Sequence, residues 1–121
     1  MKIVFDGKIP SKKNNKRISF RNNKPRFFSS QNFLDWEERE LYRLKTVKKR
    51  FKGAVKAEMV LYVPDKRTRD LSNAWEGIAD ILVKACVILD DSVFILQDIR
   101  LKFGGVDKKN PRAIVELTDM I

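Results

Sequence analysis

The sequence contains no histidine and only one cysteine, Cys86, among its 121 residues. Without histidine, the chain cannot build a Ser-His-Asp triad or an imidazole zinc site, and one cysteine cannot form an internal disulfide. Any metal must therefore be held by carboxylates and other oxygen atoms, which suit magnesium, calcium or manganese. The lone cysteine also fits a reducing cytoplasm, which is the location that we expect.

Long apolar runs are missing as well. No stretch of 18 apolar residues occurs, so the sequence predicts no membrane-spanning segment. The length suits one domain with one modest core, and we expect residues 1–121 to form a single domain.

Positive charge is abundant and unevenly distributed. The net charge is +10, with a balance of +11 in residues 1–52 and −1 in residues 53–121. A basic surface of this kind is typical of proteins that bind nucleic acid through its phosphates. The alternative is that the charge serves solubility alone.

Hydrophobic periodicity and turn residues predict the element order β-α-β-α-β-β. Ser29 and Ser30 can cap a helix that runs to about residue 50. Its apolar stripe is formed by Leu34, Leu41, Leu44 and Val47, with Phe33 and Trp36. A second helix is predicted at 72–86, a loop or irregular hairpin at 8–26, a turn at Gly104-Gly105, and strands at 2–8, 54–63, 93–103 and 113–117. This order favours an α+β domain of two layers, a mixed β-sheet with helices packed on one face.

The second predicted helix is apolar over a wider surface than one core stripe needs, which suggests a further buried contact such as a dimer interface. The alternative is burial inside one chain. The residues concerned are Ala74, Trp75, Ile78, Ala79, Ile81, Leu82 and Val83.

Acidic residues surround this helix. Asp70 precedes it, Asp90 and Asp91 follow it, and Glu76 and Asp80 lie one turn apart on the face that carries Ser72 and Asn73. We expect several of these acids to converge and hold one or two divalent ions. A bound ion would lower the pKa of a water molecule and neutralise phosphate charge, which is the chemistry of phosphodiester hydrolysis.

Each acid also has a purely structural interpretation. Asp70 could only cap the helix, and Asp90 and Asp91 could be ordinary turn residues. Glu76 and Asp80 could form a solvated face that pairs with Lys84. The spacing of carboxylates alone does not decide between these interpretations.

Three segments together carry a more specific signal. They are Pro10-Ser11-Lys12-Lys13-Asn14-Asn15, Arg69-Asp70-Leu71-Ser72-Asn73 and Val87-Ile88-Leu89-Asp90-Asp91-Ser92. In order and spacing they resemble the RusA family of Holliday-junction resolvases, and the pattern runs through nearly the whole chain.

The resemblance implies a magnesium-dependent homodimer that binds four-way DNA junctions and nicks two opposed strands. We expect manganese to be a possible substitute and the protein to be associated with nucleoid or phage DNA. The resemblance places the essential acids at Asp70 and Asp91. We add Asp90 and Glu76 as candidate metal ligands, Glu76 also as a catalytic residue, and Ser72, Asn73 and Asp80 as residues that support the ligands. Phosphate contacts are expected from Lys12, Lys13, Asn14, Arg17, Lys66, Arg67 and Arg69.

Two positions depart from the family pattern. Ser72 stands where the family has aspartate, and Glu76 stands where it has a functional lysine. Because these positions are one helical turn apart, our hypothesis is that Glu76 replaces the missing carboxylate and that the role of the lysine passes to Lys12, Lys13 or Lys66. The departures also leave room for a catalytically impaired protein that only binds branched DNA.

Some of the basic and aromatic residues have a second interpretation. Arg67 and Arg69 could pair locally with Asp65 and Asp70 instead of contacting DNA. Three aromatic residues within the basic N-terminal stretch could stack on an unpaired base or could pack in a core or interface, namely Phe20, Phe27 and Phe28. An RNA-binding domain is a weaker hypothesis, because residues 93–103 offer only two aromatic residues.

Overall fold

The computed structural model describes residues 1–10, 16–21, 24–29 and 31–120, and for residues 16–21 and 24–29 it describes the backbone alone. The elements are β1 (Lys2–Asp6), β2 (Lys16–Arg21), β3 (Lys24–Ser29), α1 (Gln31–Leu44), β4 (Val55–Val63), α2 (Leu71–Lys84), β5 (Leu96–Val106) and β6 (Arg112–Asp119). Among the helices described, none is long and apolar enough to cross a membrane.

Four strands form a mixed sheet in the order β1-β6-β4-β5. Strand β6 pairs antiparallel with both β1 and β4, whereas β4 pairs parallel with β5. Strands β2 and β3 form a separate antiparallel hairpin, which begins within the predicted loop or irregular hairpin of residues 8–26 and extends beyond it to Ser29, a residue predicted to cap α1. The predicted α+β class is confirmed, and the order β-α-β-α-β-β holds for the main sheet and its two helices.

One face of the sheet forms the core. Along β4 every second residue is buried, from Val55 to Val63, and the residues between them are half-buried. Strands β1 and β6 add their own buried positions to the same cluster, which also includes the inner residues of both helices. The helices therefore cover one face, as the sequence predicts.

Helix α1 ends earlier than the sequence predicts. The amides of Lys45, Thr46 and Val47 bond to carbonyls three residues back, at 3.2–3.4 Å, and the hydroxyl of Thr46 donates to the carbonyl of Arg43. This tightened turn stops the helix at Leu44, because a side chain that bonds the backbone competes with helical bonding.

The buried face of α1 matches the predicted stripe except at Leu34, and it includes one charged residue. Phe33, Trp36 and Leu44 are buried as predicted, whereas Leu34 is exposed and Glu40 is buried. Burial raises the pKa of the Glu40 carboxyl, although Arg43 and Arg39 beside it act in the opposite direction. Arg43 also donates to the carbonyl of Val4 at 2.8 Å, so this polar cluster fastens α1 to β1.

The wide apolar surface of α2 is buried inside the chain. Gly77 faces α1, since a Cβ there would lie 3.3 Å from the ring of Phe33, and the opposite side contacts the sheet. Of the seven residues named as a possible dimer surface, six are buried in the core and Val83 is half-buried. The alternative of burial within one chain is therefore correct for this helix.

Strand β5 begins and ends later than predicted. Residues 93–95 form a turn, and the strand runs through Gly104 and Gly105 instead of turning there. The pairing with β4 shifts register between Leu61 and Tyr62, which leaves Gly104 as an additional residue in β5. A Cβ on Gly104 would lie 2.7 Å from the ring of Tyr62, so only glycine fits this bulge.

The C-terminus of α2 closes with a left-handed residue. Cys86 has φ of 60°, its amide bonds to the carbonyl of Val83, and the amide of Val87 bonds to the carbonyl of Leu82 at 2.9 Å. This is the Schellman pattern, in which glycine is the preferred residue because it has no Cβ. The thiol-bearing side chain is therefore held in a backbone conformation that disfavours it.

We expect Cys86→Gly to stabilise the protein by about 0.5–1 kcal/mol, because the relief of left-handed strain exceeds the entropy that glycine adds to the unfolded chain. Urea denaturation would measure the change. Cys86→Ala is the matched control, since it removes the thiol and retains the Cβ. Equal stabilisation by both variants would contradict this explanation.

Candidate active site

Asp70 caps the N-terminus of α2. Its backbone is extended, at φ −113° and ψ 124°, and its carboxylate accepts a hydrogen bond from the amide of Ser72 at 3.0 Å. The capping role considered for Asp70 is therefore real. The residue is nevertheless exposed, so capping does not remove it from contact with a ligand.

Ser72 contacts Asp70 a second time through its side chain. The hydroxyl donates to the same carboxylate oxygen at 2.8 Å. Where the resembled family carries an aspartate, this chain thus has a hydroxyl that helps to orient the neighbouring carboxylate. Asn73, the next residue, is half-buried.

The loop before Asp70 is held by a strong local ion pair. The guanidinium of Arg69 lies 2.7 Å from the carboxylate of Asp65, which also accepts from the amide of Arg67 at 3.0 Å. Together these bonds lower the pKa of Asp65 to about 2, and the bond from Arg69 has the largest effect. Local pairing is therefore observed for Arg69 with Asp65, while Lys66 and Arg67 are exposed.

A recess of about 830 Å³ opens beside Asp70, where the ends of β1 and β4 meet the first turns of both helices. Its lining includes four cations and two acids, namely Lys8, Arg39, Arg67, Arg69, Asp35 and Asp70. A concave surface with an excess of positive charge suits a phosphate backbone. The chemistry available here is therefore a carboxylate placed among groups that bind phosphates.

Two of these cations, Lys8 and Arg39, were not among the DNA contacts predicted from the sequence. Lys8 opens the basic N-terminal stretch, so a signal existed, but nothing placed it beside Asp70. Arg39 belongs to a helix of mixed charge, and its position depends on how α1 packs against β1. No local pattern could have identified it.

Of the two acids on α2, Asp80 is committed to an ion pair. Its carboxylate lies 3.1 Å from the ammonium of Lys84, which also contacts Glu37 of α1 at 3.0 Å. The pairing with Lys84 that the sequence left open is thus present for Asp80. Glu76 is exposed, as is Ser72 one turn before it.

Asp90 and Asp91 lie at the other end of α2. The segment that carries them is bonded to the amino end of β4, through the amide of Val55 and the carbonyl of Ile95 at 2.7 Å. Asp70, in contrast, follows the carboxyl end of β4. Helix α2 has 14 residues and is therefore about 21 Å long.

The expected convergence of the acids is therefore not found within one chain. Within residues 1–10 and 31–120, no three acidic or cysteine side chains lie close enough together to hold a metal ion. Asp70 and Asp91 are both exposed, but they stand at opposite ends of a helix.

Several predicted DNA contacts fall where the structure says little. Lys12, Lys13 and Asn14 lie outside the described residues. Arg17 lies on β2 and pairs in register with Phe28 of β3, but only the backbone is described there. The same limit applies to Phe20 and Phe27, so their roles stay predictions.

Comparison with known proteins identifies the family. A model of the family described as endodeoxyribonuclease RusA matches residues 8–118. The chain is also 29% identical over 95 residues to the crossover junction endodeoxyribonuclease RusA of Aquifex aeolicus (strain VF5), with 74% of this chain and 71% of that protein covered. The resemblance drawn from the three sequence segments is confirmed.

The ion pair in the Asp70 loop makes a testable prediction. Because Asp65 has a lowered pKa in the folded state, its contribution to stability is present above the ordinary value of 3.8 and is lost as the pH falls through about 2. At about pH 3, we expect NMR of the side-chain carboxyl carbon to show Asp65 ionised in the wild type and more protonated in Arg69→Gln, because the bond from Arg69 is the largest cause of the lowered pKa. Lys66→Gln serves as a control that leaves the titration in place. An unchanged midpoint in Arg69→Gln would refute the assignment.

Proposed function

This chain belongs to the endodeoxyribonuclease RusA family, and we propose that it resolves four-way DNA junctions by metal-dependent phosphodiester hydrolysis. The relative from Aquifex aeolicus is named for crossover junctions, which supports this substrate. The observation that carries the proposal is an exposed carboxylate, Asp70, at the rim of a recess with four cationic side chains. Metal-assisted cleavage of DNA needs this combination of an acidic ligand and phosphate-binding groups.

The donor chemistry of the chain fits magnesium. This ion binds oxygen and usually takes only one or two carboxylates, keeping water in its other positions. We propose Asp70 and Asp91 as its protein ligands, with Asp90 and Glu76 as further candidates. When bound, the ion would lower the pKa of a water molecule and neutralise charge on the phosphate. Ser72 would orient Asp70, which its hydrogen bonds support.

The cations of the recess would hold the DNA backbone. Lys8, Arg39 and Arg67 would contact phosphates on either side of the cleaved bond, together with the basic residues of the N-terminal stretch. Arg69 would act from a fixed position, because Asp65 already orders its guanidinium. Such contacts set the register of the DNA and carry little sequence information.

We propose that the active form is a homodimer. Resolution of a junction by paired nicks requires two equivalent sites, which a twofold axis supplies. Since Asp70 and Asp91 lie at opposite ends of α2, a second copy can bring its Asp91 to the first copy's Asp70, and the reverse contact follows by symmetry. Each site would then take acids from both copies.

The central experiment is cleavage of a labelled four-way junction beside a linear duplex of matched sequence. We expect paired nicks in the junction alone, dependent on magnesium or manganese and abolished by a chelator. Asp70→Asn and Asp91→Asn should each reduce the rate by at least about 100-fold, because each removes a metal ligand. Tight binding without cleavage in either metal would instead favour an impaired junction-binding protein. The departures from the family pattern at Ser72 and Glu76 would then explain the loss of cleavage.

A mixing experiment tests whether the site is shared between copies. When Asp70→Asn and Asp91→Asn proteins are combined and allowed to exchange subunits, the mixed dimer has one site with both acids and one with neither. We expect single nicks from the mixture, although each variant alone is inactive. If both acids acted within one chain, the mixture would remain inactive.

The relocation of a carboxylate to Glu76 has its own test. We expect Glu76→Gln to reduce cleavage by about 10-fold or more while junction binding is retained, since a ligand or a residue that supports a ligand is lost. Glu58→Gln, which changes an acid on the sheet, is a matched control. Full activity in Glu76→Gln together with loss in Asp70→Asn would show that Glu76 is not a replacement.

A further inference from the structure

The turn between α2 and β5 exposes three large apolar side chains beside Asp90 and Asp91. Leu89, Val93 and Phe94, which we call the apolar tip, are 61%, 75% and 79% exposed. Single exposed apolar residues are ordinary, but a cluster on one short segment marks an interaction surface.

The backbone holds the apolar tip in place. The amides of Ile95 and Leu96 both bond to the carbonyl of Ser92, at 3.1 and 2.9 Å, and the side chain of Gln97 donates to the carbonyl of Phe94 at 3.1 Å. Ile95 is in turn bonded to β4. The tip is therefore ordered before it binds anything, which lowers the entropy lost on binding.

A complementary pocket lies at the opposite end of β5. Its volume is about 470 Å³, and it is lined by apolar residues of β4, α2 and β5 and by four residues of the Asp70 loop. The apolar members are Leu61, Val63, Leu71, Phe103 and Val106. Phe103 and Val106 are themselves 61% and 49% exposed, so nothing in the described part of the chain covers this side of the pocket.

We propose that the apolar tip of one copy seats in this pocket of a second copy. This inference rests on the homodimer of the proposed function and identifies its contact. Each of the two surfaces adjoins one of the acids of the proposed shared site. The apolar tip includes Phe94, which is three residues after Asp91. The pocket includes Arg69 and Leu71, which flank Asp70. Phe94 is thus a positioning residue that brings Asp91 to the partner's Asp70.

The position of β5 makes this contact self-complementary. It is an edge strand of the main sheet. Phe94 lies just before its first residue, and Phe103 and Val106 lie near its end. A twofold axis through the middle of β5 would place the beginning of each strand beside the end of the other, so two identical contacts would form. It would also cover an edge that no described strand of this chain pairs with.

The dimer can be tested without DNA or metal, by sedimentation of the full chain over a range of concentrations. Phe94→Ala should raise the dissociation constant of the dimer by about 100-fold or more, as expected of a central aromatic contact that occurs twice. Val106→Asp, on the pocket side, should have a similar effect. Tyr42→Ala is the matched control, because Tyr42 is an aromatic residue of α1 with comparable exposure (73%) that lines neither surface. Circular dichroism and thermal unfolding would verify that all variants fold.

A directional version uses the mixed dimer. Phe94→Ala combined with Asp70→Asn places the change on the chain that supplies Asp91 to the intact site, and we expect nicking to fall. Phe94→Ala combined with Asp91→Asn places the Phe94 change on the other chain, whose apolar tip adjoins the site that lacks both acids. Nicking should then fall less, provided that both mixtures are compared at concentrations where they are dimeric. An equal effect of the two placements would overturn the positioning role.

The outcomes separate this inference from the proposed function. If Phe94→Ala remains as dimeric as the wild type and loses only junction binding, then Phe94 contacts a DNA base and the interface proposal is wrong. If the wild type dimerises through Phe94 and Val106 but cleaves no junction, the interface is supported and the proposed function fails.

Discussion

The parallel pairing of β4 with β5 determines where the acidic side chains of this protein can lie. A parallel pair requires a connection that returns along the full length of the strands, and α2 makes this return. The residue before the helix and the residues after it must therefore occupy opposite ends of the sheet. Asp70 and Asp91, which the family pattern presents as one site, are separated by this requirement, and this separation is the basis of our proposal that two copies share a site.

The loop from β4 to α2 gives the site its local order. Asp65 holds Arg69, and Ser72 holds Asp70, through short bonds within eight residues of chain. Local pairing and the proposed role of Arg69 need not compete, since an ion pair that fixes a guanidinium can also present it to a phosphate. The departure at Ser72 exchanges a carboxylate for a hydroxyl that orients the neighbouring one.

Much of the fold follows from local pattern, and the exceptions have identifiable causes. Alternation along β4 and the apolar stripe of α2 place both elements within a residue or two of their observed bounds. Helix α1 is shorter than its pattern because Thr46 competes for the backbone, and β5 passes through Gly104 because the ring of Tyr62 needs the space of a missing side chain. The apolar width of α2 was misinterpreted as a dimer surface because the number of neighbours of a helix is not visible in its own sequence.

The sequence by itself determined the class of fold and the family, and it narrowed the proposed chemistry: absence of histidine left oxygen ligands, one-sided charge indicated nucleic acid, and three spaced segments named the candidate acids. These are properties of residue types and short spacings, which persist in any conformation. Only the tertiary structure decided that Lys8 and Arg39 stand beside Asp70, that Asp80 is bound to Lys84, and that Asp91 lies a helix length away. Such facts depend on strand direction and helix packing, which arise from contacts between residues that are distant in the chain.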